Sequence, residues 1–153
     1  MHTPVAAGLS ALKCGLLPIS QEAIICGRVA YHDYAGILVD EPMRKQIVKD
    51  LGESKIMILR NHGAAFCGSS VEEVWFWCET FMTAAEIQLK ALSAASGNVK
   101  ESIIVPQPHV LTQVQNVLKV GVNEKPADGI SWKIGEMEFE GEMRRLDSLV
   151  NIL

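Results

Sequence analysis

Apolar positions along the chain fall into a few periodic runs, separated by capping residues and glycines. Val5, Leu9 and Leu12 recur at helical spacing after Thr3-Pro4, a cap followed by a proline suited to the first helical position, and Gly15 ends that helix. Ser20 caps a second short helical piece through Ile24, closed by Gly27, and Val29-Ala30-Tyr31 then reads as strand. Asp40-Glu41-Pro42 opens a helix carrying Met43, Ile47 and Leu51 on one face, with Gly52 beyond its end. Residues 55–59 form a buried strand, and Arg60-Asn61-His62-Gly63 turns the chain into a second apolar run over 64–67, with Gly63 supplying freedom for the bend.

Ser70-Val71-Glu72-Glu73 fits a capping box before the longest helix. Val71, Val74, Cys78, Met82, Ala85, Leu89 and Leu92 recur along it as one apolar face, and Gly97 closes it. Trp75, Phe76, Trp77 and Phe81 sit partly off this stripe as a second ridge. A helix apolar on two sides is either sandwiched in the core or covered by a partner subunit, so these four aromatics are candidate interface residues. Beyond Gly97, Pro106 and Pro108 bracket a break before a short helix over 110–120 and a polar linker over 121–129. Residues 131–135 add a strand or simply anchor Trp132, and Glu136–Val150 is an amphipathic helix with Phe139, Met143, Leu146 and Val150 on one side. Strands alternating with helices predict a layered α/β domain, with 1–97 as its core and 98–153 as a C-terminal arm and terminal helix.

Composition narrows the partners. A net charge of −4 without a basic stripe argues against nucleic acid, and Arg44-Lys45 and Arg144-Arg145 are isolated pairs. No apolar stretch approaches the ~20 residues that cross a bilayer, and no signal-like start is present. Cys14, Cys26, Cys67 and Cys78 lack metal-type spacing and lie in apolar runs, which predicts buried free thiols in a cytoplasmic protein.

His62, fixed at a strand end, is well placed as a metal ligand, and His2 is the second candidate. A zinc site needs at least three protein ligands, so a strand-end histidine held by backbone is the reading that two imidazoles favour. His32 and Asp33 are neighbours on a strand and point to opposite faces, so His32 reads as structural. His109, between prolines and a helix, reads as a cap or an exposed residue, and Glu72 and Glu73 as complements to a helix dipole.

Several segments in order resemble the class II aldolase/adducin family, and within it the adducin head domain. They are His2-Thr3-Pro4, Lys13-Cys14-Gly15-Leu16-Leu17-Pro18-Ile19-Ser20, Val29-Ala30-Tyr31-His32-Asp33-Tyr34, Ile58-Leu59-Arg60-Asn61-His62-Gly63 and Ser70-Val71-Glu72-Glu73. Trp132-Lys133-Ile134-Gly135-Glu136, with Glu138-Phe139-Glu140 and Met143-Arg144, resembles adducins and not the bacterial sugar-phosphate aldolases. The resemblance implies a three-layer α/β/α domain with a central, largely antiparallel sheet. It also implies that His2 and His62 match two of the family's zinc histidines, and that the first histidine and the catalytic acid would precede Met1. The expectation is an N-terminally shortened, non-enzymatic module without bound cofactor, in which zinc is held only if missing or partner residues complete the site. It would associate with itself or other adducin-like subunits in the spectrin–actin skeleton at the inner face of the plasma membrane. The alternative is a zinc-dependent lyase or epimerase acting on a small sugar phosphate.

Overall fold

The computed structural model describes residues 1–34, 36, 41–96, 99–120 and 132–150. Its first two helices start where their caps predict. The Thr3 hydroxyl accepts the Ala6 N–H at 3.2 Å to open α1 (Pro4–Ser10), and Ser20 does the same for Ala23 at 3.1 Å to open α2 (Gln21–Ile25). β1 (Val29–His32) follows, then α3 (Glu41–Leu51), β2 (Ile56–Leu59) and β3 (Gly63–Phe66).

The three strands pair in the order β1-β2-β3. β1 runs parallel to β2, from Val29 opposite Ile56 to His32 opposite Leu59, while β3 returns antiparallel, with Phe66 opposite Ile56 and Gly63 opposite Leu59. Among the described residues the sheet is therefore mixed. Arg60, Asn61 and His62 make a three-residue hairpin loop whose left-handed position is Asn61, at φ 57°. Gly63 supplies the freedom expected of it, at φ 150°, and a β-carbon there would also collide with the carbonyl oxygen of Met1.

Ile56, Met57 and Ile58 are successive residues and all are buried. Side chains alternate across a strand, so both faces of β2 are covered, which is the layered α/β arrangement. α1 and α4 (Val71–Ala94) pack against β3, and α3 packs against β1. The core joins Ala6 and Leu9 of α1, Ile56, Ile58 and Ala64 of the sheet, and Trp77, Phe81, Ala84 and Ala85 of α4.

α4 departs from its predicted orientation. Phe81 is fully buried, 5.4 Å from the Phe66 ring, and Trp77 is 8% exposed. Phe76 packs on the same core and Trp75 meets Phe139 at 6.0 Å, so the aromatic ridge expected as an interface is used within the chain. The stripe from Val71 to Leu92 lies mostly half-buried, with Val71 itself 69% exposed. The physical reason is non-local: Ala6 and Leu9 of α1, Ala23 of α2 and Ala64 of β3 join Trp77 and Phe81 in one core. α4 ends at Ala94, with Ser96 in the left-handed region at φ 49°, while Gly97 lies outside the described residues.

The cysteine expectation is also corrected. Cys26 alone is buried, its thiol pushed up to about 12 by desolvation, whereas Cys14 and Cys67 are exposed and Cys78 is intermediate. Cys14 lies on the loop between α1 and α2, and Cys67 follows the last paired residue of β3. That loop is held from below by Gln88, a fully buried residue of α4. Its amide nitrogen donates to the Gly15 carbonyl at 2.7 Å, and its amide oxygen accepts the Leu17 N–H at 2.6 Å.

In the C-terminal third, α5 (Val99–Ser102) precedes α6 (Pro108–Val120), which packs on α2, and α7 (Glu136–Val150), which packs on α4. The expected linker over 121–129 and Ser131 lie outside the described residues. Residues 132–135 form no strand, and Trp132 is exposed instead of anchored. Gly135 lets α7 begin against the first turn of α4, since a β-carbon there would strike the Glu72 carbonyl. α7 itself buries none of its residues.

Candidate functional site

Pairing beyond the three strands brings the two predicted ligands together. The amino group of Met1 donates to the Ala64 carbonyl at 2.7 Å, and the Ala64 N–H donates back to the Met1 carbonyl at 3.2 Å. The start of the chain therefore lies along β3 and sets His2 beside the hairpin loop. The His2 and His62 rings meet edge to face at 4.0 Å, and Tyr34 stacks on the other side of His62 at 4.0 Å. His62 is held below the usual imidazole range, first by desolvation and then by the nearby positive charges of His2 and the amino terminus. A neutral imidazole is the form that binds a metal.

The ligand set remains short. Among the described residues no three of His, Cys, Asp and Glu come together, while a zinc ion takes at least three protein ligands. The described residues by themselves therefore do not fit the zinc that the fold family implies. What the arrangement provides is a neutral histidine packed between two rings at the tip of a hairpin.

The other sequence candidates are placed as follows. His32 is buried and pairs with Asp50, not with its neighbour Asp33: its Nδ1 lies 2.7 Å from a carboxylate oxygen of Asp50. The second Asp50 oxygen accepts Gln46 Nε2 at 2.7 Å. The hydrogen bond from His32 is the main cause of the lowered Asp50 carboxyl, with Gln46 adding to it. Sequence reading missed Asp50 and Gln46, because the only local trace is their four-residue spacing on α3.

Glu73 does more than complement a dipole. Its carboxylate accepts the Ser69 N–H and hydroxyl at 2.7 Å, the Trp77 indole N–H at 3.2 Å and the Lys55 ammonium at 2.9 Å. These partners, the Ser69 backbone first, hold its carboxyl down at about 2. The capping box is thus displaced, with Ser70 accepting the Glu73 N–H while Glu73 reaches back one residue farther, to Ser69. His109 is exposed in the first turn of α6.

Comparison with known proteins agrees with this geometry. A family described as Class II Aldolase and Adducin N-terminal domain matches residues 1–89. Alpha-adducin of Rattus norvegicus is 45% identical over 97% of this chain, and human gamma-adducin is 41% identical over 97%. The chain spans about a fifth of the length of these relatives, 20% and 21% respectively. Among solved structures, an aldolase II superfamily protein from Pseudomonas syringae superposes with a TM-score of 0.79 at 37% identity, over 96% of this chain and 54% of that one. L-fuculose 1-phosphate aldolase from Glaciozyma antarctica superposes at 0.60 over 76% of this chain and 41% of that one, and at 22% identity it speaks for the fold alone. The mixed sheet under two layers of helices, the Asn61-His62-Gly63 hairpin beside His2 and these matches lead to one conclusion: the chain belongs to the class II aldolase and adducin family.

Proposed function

We propose that this chain is a non-enzymatic, adducin-like head module that associates with itself or with other adducin-like subunits in the spectrin–actin skeleton beneath the plasma membrane. The observation that carries the reading is its identity to alpha-, gamma- and beta-adducins, 45%, 40% and 39% respectively over 97% of this chain. Two features of the molecule support it. Among the described residues no third metal-binding side chain joins His2 and His62, where a zinc lyase needs three, and α7 carries Leu146, Leu149 and Val150 at 40%, 49% and 69% exposure, an apolar side open to a subunit. Among the described residues no helix is long and apolar enough to cross a membrane, which fits attachment through protein partners.

The rival reading, a zinc-dependent lyase or epimerase on a small sugar phosphate, draws on the placement of His2 against His62. Elemental mass spectrometry behind size exclusion with light scattering separates the two. A defined dimer or tetramer without metal supports the association module. Near one zinc per subunit, lost in His62→Ala, overturns it in favour of the enzyme.

A further inference from the structure

The parallel pair β1 and β2 ends at one level, and the molecule is hollow just beyond that end. Arg60 N–H donates to the His32 carbonyl at 2.9 Å, so the residue after β2 is fixed to the last residue of β1. A cleft of about 500 Å³ opens there, lined by Tyr31, His32, Asp33, Gln46, Asp50 and Arg60. A second hollow of about 480 Å³ shares Asp33 and Arg60 with it and adds Lys13. Crevices outside the carboxyl ends of parallel strands are where α/β sheets bind ligands, and volumes of roughly 300–1,000 Å³ suit small molecules.

The polar groups in this cleft are fixed in advance. The Arg60 guanidinium lies 4.5 Å over the Tyr31 ring and spends one N–H on the Leu12 carbonyl at 2.7 Å. A guanidinium has five N–H donors in a planar fork, so enough remain to grip a carboxylate with two parallel bonds. His32 is oriented by Asp50, which is oriented in turn by Gln46. Nδ1 of His32 is engaged by Asp50, which fixes the ring at the wall of the cleft. Asp33, exposed at the rim, is an acceptor. Groups already immobilised by their neighbours lose little entropy when a ligand arrives.

We propose that this cleft binds a small hydroxycarboxylate, its carboxylate on Arg60 with Lys13 nearby, and a hydroxyl donating to Asp33 beside the Asp50-oriented His32. The cationic side sets the anion, and the acceptor side distinguishes a hydroxy acid from a plain one. The site involves neither His2 nor His62, so it stands whether or not the association reading holds.

Isothermal titration of the chain with L-malate tests this, with succinate and inorganic phosphate as controls. Malate should bind saturably, and succinate, which leaves Asp33 without a donor, on the order of tenfold more weakly. Asp33→Asn, an exposed position, and Arg60→Lys, which keeps the charge but loses the fork, should each weaken malate on the order of tenfold. The His32 ring signals in NMR should shift with malate, a readout that serves even if Arg60→Lys disturbs the fold. Absence of saturable malate binding in a cooperatively folded chain overturns the proposal. So does equal affinity for malate, succinate and phosphate that Asp33→Asn leaves unchanged, which would mark a nonspecific anion contact.

Discussion

α4 and α7 are both amphipathic helices, yet the chain treats them differently. α4 buries Trp77, Phe81, Ala84, Ala85 and Gln88, while α7 buries nothing and leaves Leu146, Leu149 and Val150 in solvent. The difference lies in what surrounds them. α4 is met by α1, α2, β3 and α7, whereas among the described residues α7 packs mainly on α4. An apolar stripe states that a face is fit for burial; it does not state that the same chain supplies the cover. α4 is therefore a structural beam, and α7 is a rail fastened at its beginning, through Gly135 on Glu72 and Phe139 on Trp75.

The strongest way to break this contrast is at Phe81. Phe81→Ala should cost about 3–5 kcal/mol, seen as a fall in the urea midpoint, since a fully buried ring leaves a cavity among Phe66, Leu9 and Ile56. A cost below about 1 kcal/mol would mean that α4 is not the centre of the core.

Glu73→Gln comes next, at about 1–3 kcal/mol, because it removes a charge that Lys55, Ser69 and Trp77 all address. The sign with pH follows from the lowered carboxyl. Glu73 sits at about 2 in the fold against an ordinary 4.5, so its contribution is complete above about 4.5 and drains away as pH falls toward 2. Denaturation of wild type and Glu73→Gln at pH 7 and pH 3 should show the gap between them narrowing in acid.

A double-mutant cycle on Trp75→Ala and Phe139→Ala should give a coupling of about 0.5–1.5 kcal/mol, measuring how firmly the rail is fastened. Smallest of all, Leu149→Ser should change stability by less than about 0.5 kcal/mol. If it lowers the molar mass seen by light scattering at the same time, α7 is covered by another subunit. A large loss of stability in the isolated monomer would erase the distinction between beam and rail.

Local signals were legible and long-range ones were not. Thr3, Ser20 and Ser70 each cap the helix that the pattern assigns to them, and α7 has the predicted bounds, because a cap and its helix are neighbours in sequence. The buried side of α4 was hidden, since a helix apolar on two sides gives periodicity no means of choosing, and the choice is made by α1 and β3. His2 beside His62 was legible only through resemblance, while the partner of His32 stands 18 residues away on another element. Sequence neighbours, such as Asp33 just beyond the end of β1, are poor guides to what a side chain touches.

Gln88 carries a consequence for how far this sequence can drift. It grips the loop between α1 and α2 through the main-chain atoms of Gly15 and Leu17, so it does not read the side chain at 17. Any residue but proline at that position leaves both bonds intact. Position 88 has no such latitude. Glutamate would offer oxygen where the Gly15 carbonyl requires a donor, and asparagine falls one methylene short of both atoms. One amide in the interior thus frees the loop's surface chemistry by confining the constraint to a single site on the opposite helix.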